Sequence, residues 1–181
     1  MWKPDLVGLT SLILHFAFCI FIFFCMSLCG CDGLGGYTNK SLFPDDIQSI
    51  QIKMFDNQTF RRGVEFELTD ALSKRIEAQS PYKIVSDADS ADSVISGQIV
   101  SIRESALSTE RETGRILEKE VQIQAVVNWK NLRTGQMLLN NVTVNSSATY
   151  SQFQMQDFLY ASDLAANNMA RKIVELMEKK W

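Results

Sequence analysis

EVQIQAVVNWKNLRTGQMLLNNVTVNSSATYS, residues 120–151, decides the fold. Val121, Ile123, Ala125, Val127 and Trp129 fall on alternate positions, with Gln122, Gln124, Asn128 and Lys130 between them. A period of two over this length is a β-strand with one face in an apolar core and the other in water. RTGQ (Arg133–Gln136) supplies a turn, and Met137–Ser151 then reads as another long strand. RETGR (Arg111–Arg115) looks like the tip of a second long hairpin. It joins the alternating strand to DSVISGQIVSIRES (Asp92–Ser105), which is apolar on parts of both faces.

Working outward, DIQSIQIKMF (Asp46–Phe55) alternates again, with Ile50, Ile52 and Met54 on one face and Ser49, Gln51 and Lys53 on the other. Val64, Leu68, Leu72 and Ile76 stand four residues apart, the apolar stripe of an amphipathic helix that Ser80–Pro81 stops. YKIV (Tyr82–Val85) is a short strand. After Phe158 a second helical stripe runs through Ala166, Met169, Ile173, Leu176 and Met177, with Lys179 and Lys180 expected in its last turn, where cations suit the helix dipole.

This order predicts an α+β two-layer sandwich: two helices packed on one face of a mixed, mostly antiparallel, four- to five-stranded sheet. The strand–helix–strand start implies one parallel pairing. The uncovered face, rich in Gln, Asn, Ser and Thr, is expected to be a wet surface or a wall against a polar partner.

The N-terminus has a different character. Lys3 precedes a run from Val7 to Leu28 broken only by Thr10, Ser11, His15 and Ser27. A charged start, an apolar stretch and small residues before a cleavage point form a secretory signal. LCGC (Leu28–Cys31) resembles the lipobox of bacterial lipoproteins, with leucine at −3, glycine at −1 and Cys31 as the acylated residue, although cysteine at −2 is atypical. A run of this length also suffices for an uncleaved signal anchor across a bilayer of about 30 Å. On the lipobox alternative, residues 1–30 are a signal peptide, 31–45 a lipidated flexible tether and 46–181 a single domain. Several acyl chains on Cys31 would anchor it stably.

Composition then excludes function classes. All four cysteines (Cys19, Cys25, Cys29 and Cys31) precede the domain, and the sole histidine is His15. Cys29 and Cys31 are too close for a zinc knuckle, and no second ligand pair follows. Without histidine the domain lacks Cys-His and Ser-His-Asp machinery and imidazole metal ligands, so neither catalytic residues nor a metal or cofactor is expected. From Cys31 onward the chain holds 17 basic and 20 acidic residues evenly spread, which is no footprint for nucleic acid. GLGG (Gly33–Gly36) lacks the flanking strand and helix of a dinucleotide loop. DADSAD (Asp87–Asp92) lacks the glycine and closing glutamate of a calcium loop and reads as a turn.

Binding residues are harder to place. Arg103, Arg111, Arg115 and Lys119 gather near the RETGR hairpin, where ligand phosphates would find cations. Glu104, Glu110, Glu112, Glu118 and Glu120 interleave with them, so a self-paired, solvated hairpin is the competing interpretation. Arg61 and Arg62 form a further basic pair, more simply a surface face.

GY (Gly36–Tyr37) after the lipobox cysteine, LFP (Leu42–Pro44), the stretch from Ile50 to Leu72, ADSVISGQI (Ala91–Ile99) and a C-terminal helix ending at Trp181 resemble, in that order, the LPS-assembly lipoprotein LptE family. The resemblance implies the same α+β sandwich and a non-enzymatic outer-membrane lipoprotein on the periplasmic side. Such a protein plugs and helps assemble an LptD-type β-barrel and binds lipopolysaccharide. Arg111, Arg115 and Lys119 are then the candidate contacts to glycolipid or barrel. Asp32 directly after Cys31 would favour inner-membrane retention under enterobacterial sorting rules. The alternative is a lipid-anchored scaffold or activator of another envelope machine, LpoB-like or curli-secretion-like.

Overall fold

The alternation in the quoted stretch becomes the centre of a six-stranded sheet. A computed structural model of the chain describes residues 15–18, 20 and 42–179. The chain divides into units of residues 1–40 and 41–181. In the first, the described residues 15–18 and 20 are helical and exposed. No helix among the described residues is long and apolar enough to cross a membrane.

In the second unit the strands are β1 (Ser49–Ile52), β2 (Asp56–Asn57), β3 (Lys83–Ile84), β4 (Ser93–Thr109), β5 (Ile116–Asn131) and β6 (Met137–Tyr150). The helices are α1 (Val64–Gln79) and α2 (Phe158–Leu176). The sheet order is β3-β1-β4-β5-β6, with β2 added to β4 beyond the end of β1. β4, β5 and β6 form an antiparallel meander, while β1 is parallel to both β3 and β4. The mixed α+β sandwich expected from the sequence is therefore the fold. Its sixth strand is the two-residue β2.

Val121, Ile123, Ala125, Val127 and Trp129 of β5 are all buried, facing Leu68, Leu72 and Ile76 of α1 and Met169 and Ile173 of α2 within one core. Ala161, Ala165, Ala166 and Ala170 give α2 a small-residue face, so it can lie close to the sheet. Asp157 caps α2 by accepting the backbone N–H of Tyr160 at 2.9 Å, a contact worth about 1 kcal/mol. α1 begins at Gly63, whose φ of 102° is costly for any residue with a Cβ. The Glu65 carboxylate bonds back to the Gly63 N–H at 3.0 Å.

Four local expectations are corrected. Met54 does not continue the β1 face; it is 56 % exposed, because the strand ends at Ile52 and Phe55 turns into the core instead. Leu176 is exposed while Val174 is buried, so the α2 stripe drifts as 3.6-residue periodicity requires. Lys179 lies beyond α2 and donates to Asp45 at 2.7 Å, and Lys180 lies outside the described residues. Residues 42–45 are not loose tether. Phe43 is buried edge-on to Tyr82 at 5.6 Å, and the Lys179 N–H bonds the Leu42 carbonyl at 2.7 Å.

Candidate functional site

Period-two alternation places the residues between the core positions on the opposite face of the sheet. Two rows cross β4, β5 and β6 there: Arg103–Gln122–Ser147 and Ser101–Gln124–Asn145. They line a shallow groove of about 580 Å³. Lys172 of α2 also reaches it, coming round the edge of β6, and its Nζ donates to the Asn145 carbonyl at 2.7 Å. At the rim, Glu120 accepts a bond from Gln122 Nε2 at 2.7 Å. Among the described residues Arg103 is in no ion pair. The groove offers amides and hydroxyls for hydrogen bonding and two cations for negative charge. It contains no nucleophile–base pair.

The residues singled out at the hairpin do not form one cluster. Arg111 is exposed at the tip, which closes through Glu110 N–H to the Arg115 carbonyl at 2.8 Å. The Arg115 guanidinium lies over the Phe153 ring at 4.1 Å. Lys119 sits further down on the helix side, where Nζ bonds Glu104 Oε1 at 2.8 Å. Tyr150 Oη donates to the same oxygen at 2.7 Å, and Arg61 binds the other at 3.0 Å. Lys119 and Tyr150 as donors hold the Glu104 carboxyl below its usual range. Arg61 also stacks on Phe158 at 4.1 Å, so this node ties the loop before α1 and the start of α2 to three strands. Arg103 points to the other side of the sheet from Lys119, as its place in the groove requires. Cys31, Asp32 and the Gly36–Tyr37 pair lie outside the described residues.

The acidic turn is structural. Asp92 Oδ2 accepts the backbone N–H groups of Gln48 at 2.8 Å and Ser49 at 3.0 Å, while Oδ1 pairs with Arg133 at 2.6 Å. Asp92 thus fastens β1 to the β5–β6 turn. Among the described residues no group of three or more His, Cys, Asp and Glu could hold a metal. Nothing in the sequence singles out Lys172. It looks like one more solvated helix residue, and nothing local ties it to Arg103, which precedes it by two strands and most of a helix.

The domain is an α+β sandwich with one sheet face covered by helices and the other a wet, cation-flanked groove. The fold recurs in solved structures. An uncharacterized lipoprotein B from Nitrosomonas europaea is 14% identical, covers 78% of this chain and 88% of its own, and superposes with a TM-score of 0.52. The hypothetical protein CT253 from Chlamydia trachomatis is 10% identical, covers 71% and 94% respectively, and also scores 0.52. No curated protein matches the sequence. The family model LptE, lipopolysaccharide-assembly, matches residues 47–180, and the chain belongs to that family. The family is one of non-enzymatic lipoproteins.

Proposed function

We propose that the chain is a lipopolysaccharide-transport lipoprotein, acylated at Cys31 and held by its lipid anchor on the periplasmic face of the outer membrane. Its domain seats in an LptD-type β-barrel, which it plugs and helps to assemble, and it binds lipopolysaccharide. The observation that carries the ligand part is the groove between Arg103 and Lys172. Side-chain amides of Gln122, Gln124 and Asn145 suit sugar hydroxyls, and the two cations suit phosphate. Arg111 and Arg115, at the far end of the hairpin, touch barrel or glycolipid on this reading, which the exposure of Arg111 at the tip supports. Lys119, held by Glu104, acts by stiffening the hairpin root.

Co-purification from detergent extract tests the partner: a large β-barrel should accompany the chain, and its absence refutes the plug. Mass spectrometry of the membrane-extracted protein should find acylated Cys31 at the N-terminus, and Cys31→Ala should block processing. An intact Met1 refutes lipidation and leaves a signal anchor. Membrane fractionation separates outer from inner membrane, where Asp32 would direct retention.

A further inference from the structure

β6 is the last strand of the sheet, and among the described residues no strand pairs with its outer side. Exposed edges present unpaired N–H and C=O groups to any passing strand, and proteins blunt them with lysine, proline, short strands or bulges. β6 runs 14 residues, Met137–Tyr150, with neither a charged residue nor a proline. Its first third is blunted. Val127 pairs with Val142 and Trp129 with Leu139, so two β6 residues oppose one of β5. This bulge is fixed by Asn141, with φ of 50°, whose N–H bonds Asn128 Oδ1 at 2.7 Å. Beyond it, Thr143–Thr149 has no such device of its own.

Two side chains of α2 supply one. Lys172 Nζ donates to the carbonyl of Asn145 at 2.7 Å, and Asn168 Nδ2 to the carbonyl of Ser147 at 3.3 Å. Four residues on a helix advance about 6 Å and two on a strand about 6.7 Å, so one helix face can cap alternate carbonyls of one edge. In an antiparallel ladder these alternate residues turn both N–H and C=O away from β5.

We propose that the Thr143–Thr149 edge is a strand-pairing site for a second copy of this chain, held shut by Asn168 and Lys172. The partner is argued from the strand itself. Antiparallel self-pairing centred on Ser146 sets Asn145 opposite Ser147 and Thr143 opposite Thr149. These are uncharged pairs able to hydrogen-bond across the two strands, with no like charge to repel. The outward N–H and C=O of Asn145 then meet those of Ser147 in the other copy, and the two carbonyls are the groups α2 now caps. The two α2 residues keep the domain single and its groove free for ligand.

The test compares the full chain in detergent with the double variant Asn168→Ala/Lys172→Met, both good helix formers, by light scattering with the detergent mass subtracted. Wild type should be a monomer. The double variant should dimerise about tenfold more tightly or better, as expected for uncapping even one backbone pair. Adding Ser147→Pro should restore the monomer, because that outward N–H has no β5 bond to lose. A double variant with a wild-type circular dichroism spectrum that stays monomeric overturns the proposal, and so does a dimer that survives Ser147→Pro. If the double variant loses structure, Lys172→Met alone gives the same decision at half the uncapping.

Discussion

A Cβ on Gly97 would stand 2.4 Å from Cε1 of Phe55 and 2.6 Å from the Val126 carbonyl oxygen. The Phe55 ring therefore lies where a side chain on β4 would otherwise be. Gly97 is the glycine of the ADSVISGQI segment, and close backbone approach is its reason for being there. Gly97→Ala should cost about 1–3 kcal/mol in urea unfolding, the range for overpacking a filled core. Phe55→Leu should recover part of that loss in the double variant, but the Val126 carbonyl is backbone and cannot move away. A Gly97→Ala protein within about 0.5 kcal/mol of wild type would show that the ring has room to shift.

Asp92 predicts an acid limb of stability. Its carboxyl is held below the ordinary range, first by the Gln48 N–H, against the opposing effect of burial, then by Ser49 and Arg133. The folded state favours the ionised form. That stability is complete above the carboxyl's unfolded pKa and fades as pH falls through the lowered folded one. Asp92→Asn should cost about 1–3 kcal/mol at pH 7, since the amide cannot accept at both oxygens beside Arg133. The gap in urea midpoint between variant and wild type should narrow from neutral pH to about pH 3. A constant gap would assign the loss to packing alone.

The two faces of β5 should respond oppositely to one carboxylate. Val127 is fully buried, so Val127→Asp leaves an unpaired charge or a protonated acid in the core and costs several kcal/mol. Gln124 lines the open groove, and Gln124→Asp should change stability by no more than about 0.5 kcal/mol. Thermal melts of both variants check this. Equal losses would contradict a sheet covered on one side only.

Function should follow surface charge rather than any single reacting group. Arg111→Glu/Arg115→Glu should weaken barrel or glycolipid association with little loss of stability, because the Arg115–Phe153 stack is exposed and worth about 0.5–1 kcal/mol. Arg103→Glu should weaken glycolipid binding while leaving barrel co-purification intact. Normal binding by both would remove these arginines from the recognition surface. A single Asp or Ser substitution that abolished function in a folded, barrel-bound protein would point to catalysis instead.

The sandwich is legible in residue spacing alone. β5 and the two helices declare most of their buried side through spacing within one segment, because side-chain direction repeats every two or 3.6 residues whatever the rest of the chain does. Val121 to Trp129 mark the covered face, Gln122 and Gln124 the wet one, and Val64 to Ile76 the stripe of a helix that does the covering. The remaining features depend on register and on which distant groups arrive together. Met54 looks like β1 until the Gly97 gap draws Phe55 inward. Lys119 and Arg103 look alike until strand parity sends one to Glu104 and the other to the groove. Lys172 joins Arg103 only because α2 lies along β6, and Asp92 becomes a latch only when Gln48, Ser49 and Arg133 converge on it. Hydrogen bonds and ion pairs act over about 3 Å in space, whereas sequence patterning reports only neighbours along the chain.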